Sequence, residues 1–225
     1  MNVSERLRGA AQARRLIAPL LRTWYRVTVF EAESVPRNGP VLLVANHIGL
    51  LDAALLATAS PRPVRTLAAE DLFAPPLDRL SQAAGQIRID PVNADAGALT
   101  SARRVLTDGE VLAVFPEGVR GDGDVRSIGH EAAYLALRSG APVVPVALLG
   151  TRRAGMATDA LPRRNTRLAA VFGTPFELHT GDDVCRRGVI ASAGETLRQR
   201  LADTVAAAQT MTGLRLPDPE VSGGS

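Results

Sequence analysis

The chain has 225 residues and no lysine, so all 26 of its basic residues are arginine. The glycine-rich stretch 118–123 is not a P-loop, because that motif needs a Gly-Lys-Ser or Gly-Lys-Thr sequence after its glycines. A single cysteine, Cys185, excludes an internal disulfide and a metal cluster held by several cysteines. No G-x-S-x-G motif is present, which disfavours a serine hydrolase.

Aromatic residues and long apolar runs are also scarce. Nucleic-acid binding commonly combines a basic groove with aromatic platforms, and aromatics make up only 4% of the chain, so we expect no nucleic-acid partner. A membrane-spanning helix needs roughly 20 apolar residues, whereas the apolar runs 16–21 and 41–45 are far shorter. Arginines stand before the first of these runs and continue beyond it, unlike in a signal peptide. We therefore expect a cytoplasmic protein.

Positive charge is concentrated in residues 1–26, which hold six arginines against one acid, Glu5. Apolar residues recur between the arginines at helical intervals and predict an amphipathic helix over residues 4–26, kinked or split at Pro19. A basic helix that ends in Trp24 suits the anionic surface of a membrane. It could equally pack its apolar face on the domain, so peripheral attachment to the inner face of the cell membrane is one of two alternatives.

Short apolar runs alternate with helical patterns along the rest of the chain. Runs such as 41–45 and 142–149 are apolar on both faces, which is typical of strands covered by helices. The pattern predicts a single α/β domain over residues 31–212, built on a mixed, mostly parallel sheet. Residues 1–30 form the basic N-terminal segment, and residues 213–225 are expected to be a disordered tail.

The first segment with distinctive chemistry contains His47 and Asp52 and follows the apolar run 41–45. Sites in open α/β sheets form beyond the carboxyl ends of strands. A continuous helix would place residues five positions apart on different faces. The two side chains can meet only if His47 lies in a turn, to which Gly49 gives freedom, and Asp52 begins the next helix. The pair is then either a general base with its orienting acid or a loop histidine beside a helix cap.

The second segment, FPEGVR, occupies residues 115–120 at the end of another apolar run. Glu117 and Arg120 would project from a loop whose Gly118 lets a ligand approach the backbone. An arginine in such a loop suits a bidentate contact with phosphate. The alternative is a surface loop with a Glu–Arg pair of little energetic value.

The third segment places Arg88 within the apolar run 86–89. A charged side chain in such a strand requires a buried partner, a bound anion or an outward position on an edge strand. The other histidines, His130 and His179, lack motif partners and are expected to lie on the surface or in helix packing. His47 has an acid rather than a second histidine nearby, which makes a metal site unfavourable.

These segments together resemble the glycerolphosphate and lysophosphatidic acid acyltransferase family, whose blocks occur here in the family's order between about residues 31 and 151. The blocks are the NH-x4-D block from Asn46 to Asp52, residues 85–90, the FPEG block at 115–118 and the VPV block at 144–146. The chain departs from the family at Pro91, where arginine is frequent, and at Val119, where threonine is usual.

The resemblance implies acyl transfer without a covalent enzyme intermediate, on a glycerolphosphate-acyltransferase-like fold. His47 would deprotonate an acceptor hydroxyl, Asp52 would orient His47, and the hydroxyl would attack the thioester of acyl-CoA or acyl carrier protein. Residues that would hold the acceptor are Arg88, Glu117, Gly118 and Arg120.

The implied acceptor is 1-acylglycerol 3-phosphate in phospholipid biosynthesis, and no cofactor is implied beyond the acyl donor as co-substrate. Another lysophospholipid or a glycolipid acceptor is an alternative. A membrane lipid-binding protein that has lost catalysis is a further one.

Overall fold

A computed structural model describes residues 3–69, 86–89, 96–178 and 187–217. Pro91, His179 and Cys185 lie outside these ranges, so the structure does not test the predictions that concern them. The helices and strands, in chain order, are α1 Val3–Trp24, β1 Arg26–Phe30, a short 3-10 turn Ala32–Ser34, β2 Val41–Ala45, α2 Asp52–Ala59, β3 Val64–Ala69, β4 Ile87–Ile89, α3 Ala96–Thr107, β5 Val111–Val114, α4 His130–Ser139, β6 Val143–Leu149, β7 Arg167–Phe172 and α5 Arg187–Thr212.

The seven described strands form one sheet in the order β1-β7-β6-β2-β5-β3-β4. Every neighbouring pair is parallel except β6 and β7. The predicted mixed, mostly parallel sheet is therefore confirmed. Because β2, β5 and β6 run in the same direction, their carboxyl ends meet at one edge, which we call the C-edge. The antiparallel β7 and its neighbour β1 begin at the C-edge.

Helices cover the sheet on both faces, and the alternation of side chains along β2 shows why. Leu42 and Val44 pack in one cluster with residues of α3, α4 and α5. Leu43 and Ala45 point the other way and pack with residues of α1 and α2. All of β2 is buried, and burying a large aliphatic side chain stabilises the fold by roughly 1.5–3 kcal/mol.

Helix α1 is continuous through Pro19, so the predicted split is wrong. Its Leu21 lies in the core cluster with α2, which shows that one face of α1 packs on the domain. Another face presents large apolar side chains to solvent: Leu16, Leu20 and Trp24. Among the described residues, no helix has the combination of length and apolar character that crossing a membrane requires.

The ordered structure extends beyond the predicted limits of the domain at both ends. β1 pairs with β7, so the sheet begins before residue 31. Residues 213–217 were expected in a disordered tail, but Leu214 and Leu216 pack against the core and Pro217 is buried. Their apolar side chains explain the difference. Residues 218–225 lie outside the described ranges.

Candidate active site

The side chain of Asn46 fixes the point at which β2 ends. Its Nδ2 donates to the carbonyl oxygen of Leu148 at 3.1 Å, and its Oδ1 accepts from the backbone N–H of Leu148 at 2.7 Å. A fully buried side chain thus continues the pairing between β2 and β6. The backbone after Asn46 is released from the ladder and can turn at the C-edge.

The carboxylate of Asp52 gathers the residues of this turn around itself. Its Oδ2 accepts hydrogen bonds from the backbone N–H groups of Ile48 and Gly49, at 2.6 Å and 2.8 Å, and lies 2.8 Å from Nδ1 of His47. Its Oδ1 accepts from the hydroxyl of Thr151. Asp52 is fully buried, and a buried carboxylate needs such donors to offset its lost hydration.

The structure therefore brings His47 and Asp52 together, with His47 in the turn and Asp52 as the first residue of α2. Because the carboxylate accepts at Nδ1, the neutral ring carries its proton there and leaves Nε2 able to accept one. The ring stacks on Phe115 with centroids 4.3 Å apart. His47 retains 16% side-chain exposure, so a substrate can reach it.

Gly49 is required for space, and the prediction that it supplies conformational freedom is wrong. Its φ is not positive, so the turn does not need the left-handed conformation that favours glycine. A Cβ at this position would lie 2.9 Å from the carbonyl oxygen of Thr151. The absence of a side chain lets the turn approach the segment after β6, from which Thr151 reaches Asp52.

The loop that follows β5 holds the backbone of His47 from both sides. Oε1 of Glu117 accepts from the N–H of His47 at 2.8 Å, and the N–H of Gly121 donates to the carbonyl oxygen of His47 at 2.9 Å. Gly118 in the same loop has φ 77°, in the left-handed region, and a Cβ there would meet no other atom within 4 Å. The FPEG segment thus adjoins the catalytic candidate, and its glycine is needed for the backbone conformation.

The carboxyl group of Glu117 titrates close to neutrality. Burial raises its pKa from 4.5 to about 7, the hydrogen bonds from the backbone of His47 and Val125 oppose the rise, and the charges of Asp124 and Asp52 add to it. The carboxyl group of Glu117, whose pKa is near 7, is therefore hydrogen-bonded to the backbone N–H of His47.

Arg152 is a site residue that the sequence motifs did not reveal. Its Nε donates to the carbonyl oxygen of Ile48 at 2.7 Å, its Nη2 to that of Gly121 at 2.7 Å, and its Nη1 to that of Met156 at 3.2 Å. The residue is only 2% exposed. It connects the turn after β2, the loop after β5 and the segment after β6, so it positions backbone rather than meeting substrate.

Thr151, which binds Asp52, is a second site residue that the sequence motifs did not reveal. Both residues lie just after β6, beyond Gly150, and the position of a polar residue after a buried strand is the signal that would have drawn attention to them. Neither belongs to the blocks that carry the family resemblance.

The arginines expected to bind phosphate occupy different places. Arg120 is half-buried on the loop that holds His47. Arg88 lies in β4, the last described strand of the sheet, with β5 and β3 between it and β2. Three strand spacings amount to roughly 14 Å. The structure thus groups Glu117, Gly118 and Arg120 beside His47, with the backbone of Arg88 further along the sheet.

The fold and the site define an α/β protein with a buried aspartate that orients a histidine at the C-edge. A model of the acyltransferase family matches residues 26–149, which is more than half of the chain, and the chain belongs to this family. The resemblance drawn from the sequence blocks is confirmed.

Relatives of known sequence differ in what their names state. The chain is 34% identical over 183 residues to an uncharacterised protein of Mycobacterium bovis, in a match that covers 72% of this chain and 48% of that protein. It is 35% identical over 118 residues to a 1-acyl-sn-glycerol-3-phosphate acyltransferase of Limnanthes alba, covering 50% and 42% of the two chains. The chain spans about half the length of the curated relatives it matches.

A solved structure shares the fold. The 1-acyl-sn-glycerophosphate acyltransferase of Thermotoga maritima aligns with a TM-score of 0.62 at 19% identity, over 84% of this chain and 78% of that one.

Thr151→Val should lower the free energy of unfolding by about 1–3 kcal/mol, because valine keeps the volume but leaves Oδ1 of a buried carboxylate without its donor. Thr151→Ser keeps the hydroxyl and serves as the matched control, with an expected loss of about 1 kcal/mol or less for the missing methyl group. Denaturant unfolding measures both variants. Equal losses would contradict the hydrogen bond to Asp52.

Glu117→Gln should change how stability depends on pH. The pKa of Glu117 in the folded protein, about 7, lies above its ordinary value of 4.5. The folded state therefore holds this proton more tightly, and the associated stability is lost as pH rises through that window. Glutamine keeps an acceptor for the N–H of His47 and does not ionise. The free energy of unfolding of the variant, relative to the wild type, should rise from pH 4.5 to 7 and then level off. A constant difference would refute the assignment.

Proposed function

We propose that this protein transfers a fatty acyl group from a thioester donor to the hydroxyl of 1-acylglycerol 3-phosphate, a step of phospholipid biosynthesis. The observation that carries the proposal is the 2.8 Å contact between His47 Nδ1 and Asp52 Oδ2, in a chain of the acyltransferase family. The names of relatives in Limnanthes alba and Borreliella burgdorferi support the choice of acceptor.

In the proposed reaction His47 acts as a general base. Asp52 keeps the ring proton on Nδ1, so Nε2 takes the proton of the acceptor hydroxyl as its oxygen attacks the thioester carbonyl carbon. The tetrahedral intermediate collapses, the C–S bond breaks and the new ester is released. The departing thiolate takes the proton from Nε2, which returns His47 to its starting state. No acyl group is bonded to the enzyme at any stage.

The loop after β5 supports this reaction in two ways. It fixes His47 through both backbone polar groups, which limits the movement of the ring during proton transfer. It also carries Arg120, whose guanidinium suits the phosphate of the acceptor, and the open surface at Gly118. Arg88 is proposed as a more distant contact for the same acceptor. The donor is acyl-CoA or acyl carrier protein, used as a co-substrate.

We further propose a peripheral location on the inner face of the cell membrane, since the acceptor is a lipid. The support comes from α1, which packs one face on the domain and exposes apolar side chains on another. The helix can therefore pack on the domain with one face and contact a membrane with another.

The direct test is an acyl-transfer assay of the purified protein. Labelled acyl-CoA and acyl carrier protein are each offered with 1-acylglycerol 3-phosphate, glycerol 3-phosphate and a set of lysophospholipids. We expect turnover with 1-acylglycerol 3-phosphate, and a loss of roughly 10²–10⁴-fold in kcat for His47→Ala. His130→Ala, at an exposed position at the start of α4, is the matched control and should retain full turnover.

Two outcomes would contradict the proposal. Unchanged turnover in His47→Ala would exclude the general-base mechanism. Absence of turnover with every donor and acceptor, in a protein that is folded by circular dichroism, would exclude the activity.

A further inference from the structure

The carboxyl end of α1 and the segment between β6 and β7 pack together at the C-edge. The N–H of Asn165 donates to the carbonyl oxygen of Trp24 at 2.6 Å, and Nε of Arg26 donates to Oδ1 of Asn165 at 2.8 Å. The hydroxyl of Tyr25 reaches the carbonyl oxygen of Pro162 at 3.3 Å. Two segments that are distant in sequence therefore form one continuous surface.

This surface combines exposed apolar groups with exposed arginines. Leu20 is 62% exposed, Trp24 53% and Leu161 58%. Arg163 and Arg164 are exposed beside them, and the guanidinium of Arg164 lies 5.5 Å from the centroid of the Trp24 ring. We call these five residues the rim.

The rim lies at the same edge of the sheet as His47. The segment that carries Leu161 and the two arginines begins at Thr151 and Arg152, which bind Asp52 and the carbonyl oxygen of Ile48. It ends at β7, which starts at the C-edge because it is antiparallel to β6.

The first half of α1 lies elsewhere. Nη1 of Arg14 donates to the carbonyl oxygen of Pro61 at 3.2 Å, and Pro61 follows α2 near the start of β3, at the opposite edge of the sheet. Only the carboxyl end of α1 is therefore close to the C-edge. Within α1, a membrane contact beside the site is therefore restricted to the carboxyl end of the helix.

We propose that the rim docks on the surface of an anionic lipid bilayer and thereby presents the C-edge to the membrane. The inference rests on the proposed function only for the lipid nature of the substrate. Residues 153–166 hold three arginines and one acid, Asp159. Arginines attract anionic headgroups, while an exposed tryptophan and leucines enter the boundary between headgroups and acyl chains. A tryptophan with leucines and arginines beside it is typical of the headgroup boundary of a membrane, which favours a bilayer over an acidic protein as the partner.

Vesicle co-sedimentation of the full chain tests the proposal. Vesicles of phosphatidylcholine with phosphatidylglycerol are compared with vesicles of phosphatidylcholine alone. The double variant Arg163→Ala/Arg164→Ala should bind the anionic vesicles roughly tenfold or more weakly than the wild type. Trp24→Ala should also bind them more weakly.

The matched control is Arg103→Ala/Arg104→Ala, which removes the same charge from two adjacent exposed positions on α3. Its binding should remain within a factor of two or three of the wild type. Equal losses in the two double variants would show an effect of net charge alone and would overturn the proposal. It would also be overturned if the rim variant kept its vesicle binding and instead lost turnover only with the carrier-protein donor, because a protein would then be the partner.

A second measurement separates this proposal from the proposed function. With acyl-CoA and an acceptor dispersed in detergent, the rim variant should turn over as fast as the wild type, because no bilayer is involved. A wild type that binds anionic vesicles through the rim but shows no turnover would contradict the proposed function alone. A wild type that turns over substrate but ignores anionic vesicles would contradict the docking of the rim alone.

Discussion

The site is built around the carboxylate of Asp52, which loses its hydration because it is fully buried. That loss is offset only when the two turn N–H groups, the ring of His47 and the hydroxyl of Thr151 all reach its oxygen atoms. These donors come from the end of β2 and the end of β6, which lie side by side in the sheet. The geometry of the His–Asp pair is therefore a consequence of strand pairing, and it is complete only in the folded domain.

A second set of contacts keeps the turn in place. The loop after β5 holds the backbone of His47, and Arg152 ties that loop to the turn. Gly123, with φ 70°, lets the loop approach Ile48 of the turn, since a Cβ at Gly123 would lie 2.1 Å from Cγ2 of Ile48. The buried Val125 has φ 58°, a conformation that costs a β-branched residue energy. Its N–H donates to Glu117, and its carbonyl oxygen accepts from Nη1 of Arg198 at 3.3 Å, so this backbone is held from both sides next to the site.

The sequence predicted what local patterns determine. Apolar runs indicated the strands, and the positions of His47 and Asp52 after one of them indicated a turn followed by a helix. Thr151 and Arg152 could not be assigned in this way, because their partners lie about 100 residues away and only the pairing of β2 with β6 brings them close. The role of Gly49 was misjudged for the same reason: the atom that excludes a side chain there belongs to Thr151.

The proposed mechanism requires that Asp52 hold the neutral ring of His47 with its proton on Nδ1, so that Nε2 can act as the base. Nitrogen-15 NMR of the histidine rings tests this directly, and with three histidines in the chain the signals of His47 are identified by their loss in His47→Ala. We expect a protonated Nδ1 and an unprotonated Nε2 in the neutral ring, and loss of this preference in Asp52→Asn. A neutral ring with its proton on Nε2, or a tautomer that Asp52→Asn leaves unchanged, would contradict this role of Asp52.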